Sequence, residues 1–112
     1  MTEEPLYKDE KLKIDYLDGC HDHELFIGEN SYPIQRGILA ELARTPRGGI
    51  ERIIQTWNSN IFYGLEQAQI SVDGLHVAIC QAYAEEERRI DLFIREHPIR
   101  QLIPQSLNPK RL

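Results

Sequence analysis

Polar and apolar residues alternate near the start of the chain, from residue 11 to residue 16. A period of two is typical of a β-strand that is buried on one side. Asp18–Gly19 is a turn signal, and the apolar run at 24–27 that follows it can pair back on the first strand. The pattern therefore predicts an N-terminal β-hairpin. Its apolar face carries Leu12, Ile14 and Tyr16.

A helical period follows the hairpin. Ser31 can serve as an N-cap, and Pro33 fits the first turn of a helix. Thr45–Pro46 and Gly48–Gly49 disfavour continuation of that helix. We predict a helix over 33–44. Its apolar stripe consists of Ile34, Ile38, Leu39 and Leu42.

The next segment, 50–70, also has a clear helical period, because its apolar residues fall on one face. We predict a second helix over this range. Asn58–Asn60 are poor helix formers, so a break near Asn58 stays open as an alternative to a continuous helix. The stripe consists of Ile50, Ile53, Ile54, Trp57, Ile61 and Leu65.

A third helix is predicted over 73–97. Ser71–Gly74 supplies a connection with an N-cap, and the run from Leu75 to His97 lacks proline and glycine until Pro98 ends it. At the rise of an α-helix the segment is roughly 35 Å long, more than a core of this size needs. We therefore expect its C-terminal half to project toward a partner. The stripe of this helix consists of Ile79, Tyr83, Ile90, Phe93 and Ile94.

These elements predict an α+β fold in which the N-terminal hairpin packs on three helices, the last one long. An all-helical fold with an irregular N-terminus is the alternative. Residues 1–10 are expected to form a flexible leader and residues 11–97 a single globular domain. Segment 98–112 contains three prolines and is expected to form an extended arm. That arm either lies over the domain or docks on another chain.

Composition limits the function classes. The chain has 112 residues, room for one domain, and a formal net charge of -5. Proteins that bind nucleic acid through its phosphates usually carry a basic surface, so this function is disfavoured. The two cysteines, the absence of a secretory leader and the absence of an apolar run of about 20 residues predict a cytoplasmic protein with reduced thiols and no membrane span.

Two clusters of cysteine and histidine raise the hypothesis of a zinc site. One is the run Cys-His-Asp-His at 20–23, and the other is a histidine and a cysteine four residues apart on one helix face. The candidate ligands are Cys20, His23, His76 and Cys80. We nevertheless expect a protein without a cofactor, in which 20–23 is a polar turn and the helical cysteine is buried. A zinc-stabilised small domain is the third function hypothesis.

The segment 38–53 resembles the helix-turn-helix core of some winged-helix repressors. The resemblance implies that the second helix presents polar side chains to base edges. The basic wing expected after it is missing, and the helix that follows is acidic. A transcriptional regulator is thus the second function hypothesis. The candidate base-contacting residues are Glu51, Arg52, Gln55, Asn58 and Asn60.

Recognisable catalytic groups are missing from the sequence. No third group accompanies a Cys–His pair to orient it, and Gly48–Gly49 lacks the lysine of a phosphate-binding loop. The acidic run 85–87 is interpreted as a solvated helix face. We therefore predict that the protein is not an enzyme.

The leading hypothesis is a protein–protein interaction module: an adaptor, an inhibitor or a small regulatory subunit, expected to be homodimeric. The long capped helix and the apolar arm favour it, because both offer surface to another chain. The candidate partner-binding residues are Tyr83, Arg88, Arg89, Leu92, Phe93, Arg95, Ile99, Leu102, Ile103 and Leu107.

Overall fold

The computed structural model describes residues 4–17 and 22–97, which form four strands and four helices. The α+β fold predicted from the sequence is confirmed. The strands are β1 (Tyr7–Lys8), β2 (Leu12–Tyr16), β3 (His23–Ile27) and β4 (Asn30–Ile34). The helices are α1 (Arg36–Arg44), α2 (Ile50–Asn58), α3 (Asn60–Ala68) and α4 (Val72–Glu96). Cys20 and the expected arm at 98–112 lie outside the described residues.

The strands form one antiparallel sheet in the order β1-β2-β3-β4. Alternation along β2 and β3 turns every second side chain toward the helices. The facing pairs on this inner side are Leu12 with Ile27, Ile14 with Leu25, and Tyr16 with His23. The predicted hairpin therefore exists as β2 and β3, and the sheet extends beyond it on both sides.

The prediction for residues 31–35 is wrong. Ser31 and Pro33 belong to β4, and α1 begins only at Arg36. β4 is an edge strand, where proline is tolerated because its missing N–H is not needed for pairing. Gly28, with a φ of +58°, makes the tight turn from β3 to β4. Ile34 is buried on the inner face of the sheet instead of on the helix stripe.

The N-terminal segment also differs from the expected leader. Leu6 is buried in the core, and Tyr7–Lys8 pairs with β2. The Asp9 carboxylate closes the turn between β1 and β2: it accepts the Tyr7 hydroxyl at 2.6 Å and the N–H groups of Lys11 and Leu12 at 2.8 Å. The hydrogen bond between Tyr7 and Asp9 raises the pKa of Tyr7 and lowers that of Asp9.

The helix predicted over 50–70 is divided into α2 and α3 at Ser59. The Asn58 side chain accepts the N–H of Asn60 at 3.1 Å, a local hydrogen bond that competes with helix continuation. The open alternative of a break near Asn58 is therefore the correct one. The helix predicted over 73–97 is confirmed as α4, and Ser71 caps it by accepting the N–H of Gly74 at 2.9 Å.

The core lies between the inner face of the sheet and the helices. α4 contacts α1, α2, β1 and β2, so it is the helix around which the other elements pack. The buried apolar residues are Leu6, Leu12, Ile14, Leu25, Ile27, Ile34, Leu39, Leu42, Ile50, Ile54, Ile61, Leu65, Leu75, Ala78, Ile79 and Ala82. In the described part of the chain, no helix is both long enough and apolar enough to cross a membrane.

The end of α3 provides a test of the backbone geometry. Gln69 ends this helix in the left-handed region, with a φ of 59°. Glycine adopts this conformation without strain, so Gln69→Gly should raise the free energy of unfolding by about 0.5–1 kcal/mol in chemical denaturation. Gln55→Gly, at an exposed position inside α2, is the control and should lower it by about 1 kcal/mol. Equal losses in both variants would contradict the left-handed cap.

Candidate interaction surface

The carboxylate of Glu86, a residue of α4, lies in the core. The Glu86 side chain is 5 % exposed, although its neighbours Glu85 and Glu87 lie nearer to solvent. Among the described residues, Glu86 and His23 are the buried polar side chains. Burial of a carboxylate is costly unless hydrogen bonds replace its water shell. The structure supplies hydrogen bonds from two strands and an ion pair from α1.

Three side chains surround the Glu86 carboxylate. His23 of β3 lies with Nε2 3.0 Å from Oε1, and the Tyr16 hydroxyl of β2 donates to Oε2 at 3.2 Å. Arg36, at the start of α1, places Nη2 3.6 Å from the same oxygen. The carboxylate therefore joins α4 to two strands and to α1.

The His23 ring completes this cluster. It is fully buried and stacks on Tyr16, with 5.3 Å between the ring centroids. An ionised carboxylate only accepts hydrogen bonds, so we assign a proton to Nε2 of His23. Within the described residues Nδ1 has no hydrogen-bond partner. The neutral tautomer fits this arrangement, because it leaves Nδ1 without a hydrogen that would need an acceptor.

The cluster changes the acidity of Tyr16. Burial, the charge of Glu86 and the hydrogen bond to it raise the pKa of the Tyr16 hydroxyl to about 12. The folded state thus holds this hydroxyl in its protonated form. The resulting stabilisation is complete below pH 10 and is lost as the pH rises toward 12.

Sequence reasoning missed both buried partners, although each had a signal. His23 lies two residues before Leu25 and four before Ile27, so the alternation of β3 places it on the inner face. Glu86 is seven residues after Ile79, which puts both on one face of α4. The interpretation of 85–87 as a solvated helix face is therefore wrong at Glu86. Glutamate is seldom buried, so the residue type gave no indication that Glu86 lies in the core.

The three candidate zinc ligands that the structure describes lie at different levels along α4. His76 contacts the carbonyl oxygen of Leu42 through Nε2 at 3.1 Å, and the Cys80 thiol donates to the carbonyl oxygen of Ala43 at 3.5 Å. His23 instead meets Glu86, which is roughly 9 Å further along the helix than Cys80. In the described residues, which do not include Cys20, no group of three His, Cys, Asp or Glu could hold a metal ion.

The C-terminal part of α4 carries an apolar surface. Ile90, Phe93 and Ile94 are 39, 56 and 45 % exposed, and we call them the exposed stripe. Phe93 stacks on His97, with 4.1 Å between the ring centroids. The stripe continues the core face of the same helix, where Leu75, Ile79, Ala82 and Glu86 recur at helical spacing. The core face of α4 therefore continues beyond the part of the helix that the other described elements cover.

A groove adjoins the exposed stripe between α1 and α4. Its first part, about 280 Å³, reaches from the buried Glu86 to Ile90. Gly37 and Ala40 are small residues on its α1 wall, which keeps it open. A second part of about 390 Å³ has described lining from α4 alone, namely Glu87, Ile90, Asp91 and Ile94. The two parts share Glu87 and Ile90, so the groove follows α4 toward its C-terminus.

The other described partner-binding candidates have structural contacts of their own. Tyr83 accepts a hydrogen bond from Arg44 at 3.2 Å and lines the groove. Leu92 is 43 % exposed but lies about 100° around the helix from Phe93. Arg95 pairs with Asp91 at 2.8 Å. Tyr83 therefore belongs to the groove, as Phe93 belongs to the exposed stripe.

Arg88 and Arg89 both bind Glu85, at closest distances of 2.7 Å. These hydrogen bonds lower the pKa of Glu85 to about 2. Arg89 also donates to the carbonyl oxygens of Glu4 and Pro5. Arg89 therefore holds the N-terminal segment against α4, at a place separate from the exposed stripe. Ile99, Leu102, Ile103 and Leu107 lie outside the described residues.

The helix-turn-helix hypothesis concerns α1, the turn at 45–49 and α2. Glu51, Arg52 and Gln55 are exposed on α2, as a recognition helix requires. α3 follows α2 directly, where a winged-helix protein continues into its wing. DNA binding stays a prediction.

The Glu86 cluster can be tested with a double-mutant cycle. Glu86→Leu should lower the free energy of unfolding by about 2–4 kcal/mol, because it leaves His23 and Tyr16 buried without their acceptor. The double variant His23→Leu/Glu86→Leu should lose about 1–3 kcal/mol less than the sum of the single variants. Glu87→Leu at the exposed neighbouring position is the control, expected within 0.5 kcal/mol of the parent. Strict additivity would contradict the coupling.

The pKa of Tyr16 predicts a pH effect. The wild-type protein should lose stability between pH 10 and pH 12, and Tyr16→Phe should lose less over the same interval. Denaturant titrations at several pH values measure the difference. Tyr63→Phe, on an exposed tyrosine, is the control and should keep the wild-type slope. Parallel slopes for wild type and Tyr16→Phe would refute the assignment.

Comparisons with known proteins add no family to this picture. No protein-family model matches the chain, and neither the curated proteins nor the solved structures contain a match to it.

Proposed function

We propose that this protein is a non-enzymatic protein–protein interaction module, an adaptor, inhibitor or small regulatory subunit, that binds its partner through α4. The surface consists of the exposed stripe and the adjoining groove. Continuation of the core face of α4 past the domain is the observation that carries the proposal. Arm residues 98–112 belong to the proposed surface as well.

The exposed stripe is large enough to attract a partner. Its three side chains leave roughly 300 Å² of apolar surface in water, comparable to the largest apolar patch of a typical monomer. At about 25 cal/mol per Å², covering it contributes on the order of 7 kcal/mol before the costs of association. Phe93 is the most exposed of the three and the natural anchor, since aromatic side chains dominate interface energetics.

The groove gives the surface shape and polarity. Glu87 and Asp91 line it together with the apolar stripe, and Tyr83 closes its domain end. Arg36 and Arg44 line the domain end of the groove, so a partner segment with apolar side chains and neighbours of both charges fits this combination. The free thiol of Cys80 is in keeping with the cytoplasmic location that we propose.

The proposal is tested by comparing captured proteins. Full-length wild type, Phe93→Ser/Ile94→Ser and the control Tyr63→Ser serve as baits in a lysate of the native host. Tyr63 is 63 % exposed on α3, so the control removes an exposed aromatic side chain elsewhere. We expect wild type and control to retain the same partner and the stripe variant to lose it at least ten-fold, with melting temperatures unchanged.

Equal capture by all three baits would refute the α4 surface. The expected homodimer is measured separately by sedimentation at several protein concentrations. A dimer that dissociates in Phe93→Ser/Ile94→Ser would make the second copy the partner. Binding of random duplex DNA at low salt, unaffected by the stripe variant, would favour the transcriptional regulator over the interaction module.

A further inference from the structure

We infer that the outer face of the sheet, which is turned away from the helices, pairs with the same face of a second copy of this chain. The residues that carry the inference are Lys8, Lys13, Asp15, Glu24 and Phe26. The pairing does not rest on the proposed function, because α4 lies on the opposite side of the sheet. Its support is the arrangement of charge on this outer face.

The charges of the outer face are sorted into two rows that run across the strands. Lys8 of β1 lies opposite Lys13 of β2, and we call this pair the basic row. Two residues further along β2, Asp15 lies opposite Glu24 of β3, and these two form the acidic row. Buried residues alternate with the charged ones along β2 and β3, so both rows point away from the core.

Neither row is stabilised within a single molecule. Like charges directly opposite each other on one face of a sheet are destabilising, whereas opposite charges are stabilising. Among the described residues, no ion pair compensates either row. The Lys13 ammonium lies 4.5 Å from the centre of the Phe26 ring, and Asp15 accepts the N–H of the adjacent Tyr16 at 2.8 Å. Each row therefore remains available to a surface of opposite charge.

A second copy of the chain carries such a surface. A two-fold axis that runs across the strands, between the two rows, places the basic row of each copy on the acidic row of the other. Lys13 then meets Asp15 and Glu24 of the second copy, and the same contacts recur on the other side of the axis. One symmetric contact thus compensates both rows at once, which is the electrostatic complementarity that favours a specific partner.

Phe26 gives the outer face an apolar anchor. It lies on β3, an inner strand of the sheet, directly opposite Lys13. It is half-buried, yet it is neither a core residue nor packed against the core. Aromatic side chains are enriched in interfaces and supply much of their binding energy. The outer face therefore combines an aromatic contact with a charge pattern that matches its own copy.

The size of the outer face determines the expected affinity. Four strands about 4.8 Å apart, with up to five residues of about 3.4 Å each, cover roughly 19 Å by 17 Å. This flat area of about 320 Å² is less than the ~800 Å² that a stable interface buries on each partner. We therefore expect a weak dimer, with a Kd on the order of 100 μM. Because charges hold it together, salt should weaken it.

Sedimentation of the full-length chain tests the pairing. Wild type should change from monomer to dimer between about 20 μM and about 1 mM at low salt, and about 0.5 M NaCl should raise the Kd at least five-fold. Asp15→Lys/Glu24→Lys makes both rows basic, and Lys8→Glu/Lys13→Glu makes both rows acidic. Each variant alone should stay monomeric, because identical faces repel. An equimolar mixture of the two variants should form a heterodimer.

Two controls separate the outer face from net charge and from α4. Glu41→Lys/Glu66→Lys makes the same change in net charge as the basic variant, at exposed positions of α1 and α3, and should dimerise as wild type does. Phe93→Ser/Ile94→Ser should also keep the dimer, because the exposed stripe lies on the other side of the sheet. The heterodimer shows in addition that both charge variants are folded.

Several results would overturn the inference. Wild type that stays monomeric at about 1 mM and low salt excludes the dimer, and a mixture of the two charge variants that stays monomeric excludes the charge match. A dimer that is lost in Phe93→Ser/Ile94→Ser would assign the second copy to α4. Capture of a different protein by wild type, lost in Asp15→Lys/Glu24→Lys while wild type is monomeric, would assign the outer face to that protein.

Failure of the proposed function gives a different result. If the stripe variant still captures the partner while the two charge variants form a heterodimer, the proposed function fails and the pairing of outer faces stands. If the stripe variant loses its partner while the mixture stays monomeric, only the pairing fails.

Discussion

The buried carboxylate of Glu86 determines how α4 lies on the rest of the molecule. Its hydrogen bonds to His23 and Tyr16 and its ion pair with Arg36 connect α4 to β3, β2 and α1. Apolar packing is non-directional, so it alone permits small rotations of a helix on a sheet. Hydrogen bonds at this depth are directional, and leaving any of them unmade is costly. The cluster thus selects one orientation of α4.

That orientation decides which residues of α4 stay in water. The helix meets Arg36, at the first turn of α1, at the level of Glu86, and α1 extends from there toward the other end of the domain. The described elements leave the following turns of the same face uncovered, so Ile90, Phe93 and Ile94 are exposed. The polar cluster and the apolar stripe are consecutive parts of one helix face. The same packing therefore produces both the stable domain and the surface that we assign to a partner.

Local chemistry explains which predictions from the sequence were correct. The alternation at 11–16, the cap at Ser71 and the long run to His97 depend on neighbouring residues, and they yield β2 and α4 as expected. Pro33 misled the interpretation, because the fixed φ of proline suits both a first helical turn and an edge strand. Pairing with β3 decides between the two: Pro33 lies opposite Glu24, nine residues earlier in the chain.

The sequence by itself determined the α+β class, the end of α1 at Arg44 and the length of α4. It also placed Phe93 among the candidate contact residues. Only the tertiary structure decided that Glu86 of the acidic run is buried, that His23 is its partner and not part of a turn, and that Ile90 is exposed at a core-like position. The physical reason is that helical and strand periods specify which residues share a face. Whether a face is covered, and by what, depends on elements that lie far away in the chain.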